Sequence, residues 1–118
     1  MDEFSEQLLK RMEEFFLAGL VVNSLTKTLG FSNQSSKQLA VTINPDRDGF
    51  VIENDSSGNL YILADDKTCS PGRKTLTIGP GEMYEAGPVL RRYTGVITYY
   101  GEDTTGTATI TEFTRSTR

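Results

Sequence analysis

The sequence contains no histidine, no tryptophan and a single cysteine among its 118 residues. Without histidine the chain lacks the commonest general base, the usual Ser–His and Cys–His nucleophile pairs, and the commonest metal ligand. The lone Cys69 cannot form an internal disulfide, so folding does not depend on an oxidising compartment. We interpret Cys69 as an incidental small residue in a loop. The sequence therefore predicts no catalytic residue, no metal site and no cofactor.

Basic charge and long apolar runs are also scarce. Lys and Arg number 12 against 16 Asp and Glu, and the net charge is -4. A binder of the nucleic-acid backbone would need a concentrated basic face. No apolar run approaches the ~18 residues of a membrane span, and the acidic start MDEFSEQ differs from the basic start of a signal peptide. We expect neither nucleic acid nor membrane as a partner, and folding in the cytoplasm of the producing cell.

Acidic residues supply the remaining candidates for chemistry. Asp65 with Asp66, and Glu82 with Glu85, are possible acid–base pairs, but acidic loops and strand edges are usually only solvated. The segment Asp46–Gly49 resembles the opening of a calcium loop. It lacks the third ligand before the glycine and the glutamate six positions after it. The sequence therefore favours an Asp-rich turn.

Residues 1–19 predict an amphipathic helix that ends near Ala18, with Gly19 as the residue that stops it. At about 100° per residue, six apolar side chains fall in one arc of roughly 140°. We call these six residues the N-terminal stripe, and they are the predicted partner-binding residues: Phe4, Leu8, Leu9, Met12, Phe15 and Phe16. Two interpretations stay open. The stripe is either a docking surface for oligomerisation or a lid on the chain's own β-module.

Residues 20–37 predict a connector with some strand character. LVVNSLTKTL is rich in β-prone residues, whereas FSNQSSK has the small polar residues of a loop. A connector of this length is unusual in a compact domain. It is therefore either an extended arm laid on a neighbouring subunit or an unrecognised strand, and we favour the arm.

From residue 38 the apolar pattern changes to a period of two, beginning with Leu39, Val41 and Ile43. Gly79-Pro80-Gly81 predicts a strand reversal in which at least one glycine has positive φ. We predict an antiparallel β-sandwich or small barrel of about seven short strands over residues 38–118, mainly β and preceded by the helix of residues 1–19. The predicted strands are 39–43, 50–53, 60–63, 75–78, 83–85, 96–100 and 107–113.

Five short motifs follow one another between Asn44 and Phe113: NPDRDGFVIEN, LYIL, TIGPGEMYE, YTG and GTATITEF. In this order they resemble a small β-module of minor virion proteins of tailed bacteriophages. The resemblance implies a structural building block rather than an enzyme, located in the virion. Such a protein forms homo-oligomers and docks onto capsid, neck or fibre proteins. It also implies that Arg47 braces its turn through charge-assisted hydrogen bonds.

Two other functions remain as alternatives. A receptor- or glycan-binding module of a phage fibre would use exposed aromatics on loops, and the candidates to line such a surface are Tyr84, Tyr93, Tyr99 and Tyr100. Most of these tyrosines fall within or beside predicted strands, where half-buried sheet positions explain them equally well. A small host-takeover binding protein is the third alternative, and it would be a soluble monomer.

Overall fold

The computed structural model describes residues 7–8, 21–32, 36–86, 90 and 92–116, with positions 21, 22 and 116 described by their backbone alone. The described part contains eight β-strands. They are β1 (Val21–Gly30), β2 (Leu39–Val41), β3 (Arg47–Asn54), β4 (Leu60–Leu63), β5 (Leu76–Ile78), β6 (Met83–Glu85), β7 (Ile97–Gly101) and β8 (Thr107–Ser116). The predicted helix of residues 1–19 lies outside the described residues except at positions 7 and 8, and it stays a prediction.

The strands pair in a nested order. The first strand pairs with the last, the second with the seventh, the third with the sixth and the fourth with the fifth, all antiparallel. Two further antiparallel pairings, β3 with β8 and β4 with β7, join these four strand pairs into two sheets. The first sheet has the order β1-β8-β3-β6 and the second has the order β2-β7-β4-β5. The predicted mainly β, antiparallel class is confirmed.

One apolar cluster draws buried residues from both sheets. Phe50 and Ile52 contribute from the first sheet, and Ile62 and Ile97 contribute from the second. These branched and aromatic residues suit the pleated, half-buried surface of a strand. Truncation of such a residue to alanine typically costs about 2–5 kcal/mol, since the lost contacts leave a cavity. The cluster therefore holds the two sheets together.

Strand β1 lies where we favoured an extended arm. All ten of its residues pair with β8, from Val21 opposite Ser116 to Gly30 opposite Thr107. Among its described side chains only Leu29 enters the core, and positions 23–28 are exposed. The apolar period of two is consequently weak in this segment. Residues 21–30 therefore form a strand of the first sheet, and the described part of the chain has one strand more than the seven predicted.

The turn at Gly79-Pro80-Gly81 has the predicted backbone. Gly81 has φ 72°, which confirms that one glycine adopts a positive φ. The amide of Glu82 donates to the carbonyl of Gly79 over 3.1 Å, with proline second and glycine third in the turn. Because β5 and β6 belong to different sheets, this turn carries the chain from the second sheet to the first.

A second, smaller cluster contains Tyr61, Leu63 and Cys69, with Tyr100 packed against it. Cys69, interpreted from the sequence as an incidental small residue in a loop, lies in the loop between β4 and β5 and is buried in this cluster. Burial raises the pKa of the Cys69 thiol to about 11. The thiol is therefore neutral at ordinary pH, which makes it a poor nucleophile.

Candidate functional site

The predicted partner-binding residues fall almost entirely outside the described part of the chain. Of the N-terminal stripe only Leu8 is described, and it is half-buried. The assignment of these six residues to partner binding therefore stays a prediction. The other candidate sites are the buried polar groups and the exposed surface of the two sheets.

Arg47, the first residue of β3, is buried and makes four hydrogen bonds. Its Nε donates to Glu112 Oε2 over 2.7 Å, and Nη2 donates to the carbonyl of Thr42 over 2.6 Å. Nη1 donates to the carbonyls of Tyr93 and Gly95 at 3.1 and 2.9 Å. The prediction that Arg47 forms bracing, charge-assisted hydrogen bonds is confirmed. It braces strand β8 and the loop before β7, in addition to the connection between β2 and β3 that contains its own turn.

The Asp-rich turn beside Arg47 is held by β8. The amide of Arg115 donates to the carbonyl of Asp46 over 2.7 Å, and its guanidinium lies 3.2 Å from an Asp48 carboxylate oxygen. Asn44 accepts from the amide of Asp46. These contacts fit the interpretation as a structural turn. In the described ranges, no group of three acidic or cysteine side chains is arranged to hold a metal ion.

Asn54, the last residue of β3, is the centre of a second buried polar cluster. Its Nδ2 donates to the carbonyls of Gly58, Ile78 and Gly79 at 2.9, 2.9 and 3.0 Å. Its Oδ1 accepts from both the amide and the hydroxyl of Ser56. Asn54 was not predicted from the sequence to be a site residue. The sequence signal for this cluster was an asparagine at the end of an apolar strand. A polar side chain that is buried at such a position needs several hydrogen-bond partners.

The four candidate tyrosines are buried or half-buried: Tyr84, Tyr93, Tyr99 and Tyr100. The hydroxyl of Tyr99 donates to the carbonyl of Gly30 over 2.7 Å, and that of Tyr93 donates to Val96 over 2.6 Å. Burial raises the pKa of both tyrosines. These rings serve internal packing and hydrogen bonding, and they do not form an exposed aromatic surface.

The long edge of the first sheet is different in character. Strand β1 is at the end of its sheet and, within the described residues, has a strand partner on one side only. The other edge strands, β2, β5 and β6, have three residues each, whereas β1 has ten. A long edge presents backbone donors and acceptors to another strand. Lys27 is the one charged residue of β1, so the edge has little charge to oppose pairing.

One exposed apolar side chain, Leu25, lies on this edge, and it is 68% exposed. It is in register with Glu112 of β8, which is in register with the buried Phe50 of β3. Ile43 is 66% exposed and lies between β2 and β3, directly after Thr42, whose carbonyl accepts from Arg47. We call the outer edge of β1 together with Leu25 the β1 edge.

No protein-family profile matches the chain, and no curated protein matches it. A solved structure of Bacillus endospore appendages, described as a family of disulfide-linked pili, is similar at 14% identity with a TM-score of 0.46. The similarity covers 83% of this chain and 89% of that one. A likeness this distant gives no basis for assigning a function. In the part of the chain that the structure describes, no helix is both long and apolar enough to cross a membrane.

Proposed function

We propose that this chain is a non-enzymatic structural subunit of a tailed-phage virion that assembles as a homo-oligomer and docks onto other virion proteins. The observation that carries the proposal is the ten-residue edge strand β1, which is exposed and has a single charge. The partner is a second copy of the chain, whose own β1 pairs with it. Its virion location rests on the motif resemblance between Asn44 and Phe113.

The topology supports this proposal. The nested antiparallel pairing of eight strands in two sheets, with a main apolar cluster that draws on both, supports a jelly-roll sandwich as the finer description of the fold. Viral capsid domains and lectins both use this architecture. Since a fold alone does not determine function, the topology adds weight only together with the motifs.

Two β1 strands are suited to antiparallel pairing about a two-fold axis. With Leu25 opposite its own copy, Lys27 lies opposite Asn23, so no like charges face each other. The same residues then serve on both subunits, as in most symmetric dimers. Backbone hydrogen bonds across the new edge supply affinity, as in other cases of strand addition. The two exposed Leu25 side chains would cover each other.

The internal use of the larger polar side chains also supports a structural role. Arg47 and Asn54 each make several hydrogen bonds within the chain, at opposite ends of β3. Glycan binding is the second candidate, since lectins share the jelly-roll arrangement. The burial of Tyr99 and the half-burial of Tyr84 and Tyr93 give it less support.

The assembly step is tested by measuring oligomeric state with light scattering over a range of protein concentrations. We expect the unaltered chain to associate and Leu25→Lys to be monomeric, because two lysines would face each other at the centre of the pairing. Thr104→Lys adds the same charge to an exposed turn, and it should associate normally. Unchanged association of Leu25→Lys would exclude this surface, and a monomeric unaltered chain would exclude the homo-oligomer.

The virion location needs a separate test. Mass spectrometry of purified particles should detect the chain in several copies per particle, and Leu25→Lys should reduce that number. If the chain stays in the cell extract while complete particles lack it, the virion location is rejected. Self-association through β1 is judged independently by the light-scattering result.

A further inference from the structure

The three large apolar side chains that are exposed in the described part of the chain lie on, or next to, two edge strands. They are Leu25 in β1, Leu39 in β2 and Ile43, which follows β2 by two residues. Strands β1 and β2 are each the first strand of their sheet. Only residues 79–82 separate the last strands, β5 and β6, so those two edges lie together on the other side of the molecule. We call the surface formed by β1 and residues 38–44 the β1–β2 side.

Ile43 lies at the same end of this side as Leu25. The next residue, Asn44, donates from Nδ2 to the hydroxyl oxygen of Thr114 in β8 over 3.0 Å. Thr114 is in register with Asn23 of β1, two residues before Leu25. The segment after β2 therefore reaches the first sheet next to β1. Because Ile43 is exposed there, it is accessible to a chain that pairs with β1.

We infer that assembly through β1 is completed by a second contact, in which Ile43 and β2 of one copy pack against Ile43 and β2 of the other. The inference rests on the proposed pairing of β1 with its own copy. A two-fold axis perpendicular to the joined sheet generates this antiparallel pairing. Such an axis leaves both second sheets on the same side of the joined sheet, with their β2 edges toward each other.

The size of a specific interface requires more than β1. A ten-residue strand is ~33 Å long and stacked sheets are ~10 Å apart, so the edge of β1 alone offers ~330 Å² per copy. A specific interface buries at least about 1,000 Å² in total, or ~500 Å² per copy. Residues 38–44 add ~23 Å of chain and raise the area to ~560 Å² per copy. With the second contact, the interface reaches the size that a specific dimer needs.

The β1–β2 side also has little charge. Residues 38–44 contain no charged residue, and Lys27 is the one charge of β1. Lys37, which precedes this segment, is paired with Asp66 over 2.9 Å. Interface cores are depleted in charged residues. With Leu25 on the axis, Lys27 of one copy lies opposite Asn23 of the other, so the contact brings no like charges together.

A thiol reporter tests the position of Ile43 in the assembled protein. Ile43→Cys places a thiol at the inferred contact. The matched control, Thr77→Cys, places one at an exposed position of β5, on the other side of the molecule. The native Cys69 is buried and serves as the slow reference in both variants. Labelling by a small maleimide is followed by peptide mass spectrometry, at protein concentrations below and above those at which light scattering shows association.

We expect labelling at position 43 to be at least about tenfold slower in the associated protein, since an interface core excludes the reagent. Labelling at position 77 should not depend on concentration. Equal rates at position 43 below and above association would overturn the inference and leave the β1 pairing in place. Equal slowing at both positions would also overturn it, because it would show aggregation without a defined interface. If the chain does not associate at all, the proposed function is rejected together with the inference.

A charge at the same position gives a second readout. Ile43→Lys should raise the Kd for association at least about a hundredfold, since two like charges would face each other in the interface. Thr77→Lys adds the same charge on the other side and should leave the Kd unchanged. If Leu25→Lys is monomeric while Ile43→Lys associates as the unaltered chain does, the interface is confined to β1 and the inference is overturned.

Discussion

The two ends of β3 are held by different chemistry. At its start, the charged Arg47 is bonded to a carboxylate and three carbonyls. At its end, the neutral Asn54 is bonded to three carbonyls and a serine, and none of these partners carries a charge. A buried charge that loses its partner leaves a larger penalty than a buried amide does. The Arg47 end should therefore be the more sensitive to substitution.

The largest effect is expected for Arg47→Ala. It leaves Glu112 and three carbonyls without their donor, and breaking a buried ion pair costs about 3–5 kcal/mol. The free energy of unfolding from urea titration measures the loss. Arg115→Ala removes the exposed partner of Asp48 and should cost less than about 1 kcal/mol. Equal losses for the two variants would contradict the view that Arg47 secures this end of β3.

An intermediate effect is expected for Asn54→Asp. The carboxylate keeps the shape of the side chain but has no amide hydrogens for the carbonyls of Gly58, Ile78 and Gly79. We expect a loss of about 2–4 kcal/mol in the same titration, from unpaired carbonyls and buried charge. Ser56→Ala removes the hydroxyl bond to Asn54 but keeps the bond from the Ser56 amide, and it should cost about 1 kcal/mol. If Asn54→Asp lowered the free energy of unfolding more than Arg47→Ala, the Asn54 end of β3 would be the more sensitive end, which contradicts the expectation.

The smallest effect is expected for Gly81→Val, in the turn that lies against Asn54. The amide of Gly81 donates to the Asn54 carbonyl. An added Cβ meets no atom there, so the cost comes only from the positive φ. For a β-branched residue we expect about 1–2 kcal/mol, measured as a lower Tm.

Glu82→Gln is the control for the turn. The glutamate Oε1 accepts from the amide of Gly79 over 2.7 Å, and a glutamine oxygen can accept the same bond. We expect almost no change in Tm. A stable protein that loses its assembly with Glu82→Gln, while Gly81→Val assembles normally, would make this turn a binding site rather than a structural feature.

Local sequence patterns predicted most of the strands because their signals lie within a few residues. Leu60–Leu63 and Met83–Glu85 match their predicted bounds, and the other five predicted strands are present with shifted ends. For the segment of β1 an arm was favoured over an unrecognised strand, and a polar edge strand carries too few apolar residues to show the period of two. Its strand character becomes evident only through its pairing with β8, more than 75 residues away in sequence.

The candidate sites were less predictable. The bracing role of Arg47 was implied by the motif resemblance, but three of its four acceptors come from a loop and a strand that are remote in sequence. Asn54 was missed because burial, not residue type, makes its amide important. The exposure of Leu25 depends on how far the second sheet extends, which no local pattern encodes. The six residues of the N-terminal stripe remain a prediction from helical periodicity.

The nested pairing also sets the order in which the chain can mature during synthesis. Strands β4 and β5 are neighbours in sequence and can meet early, whereas β1 must wait for β8, the last of the eight strands to be made. Until then β1 is not fixed in a sheet, and it offers no ordered edge to another copy. If β1 pairs with a second copy as we propose, that association can begin only after the strand that anchors β1 has been translated, and nascent chains on one messenger RNA would be kept apart until then.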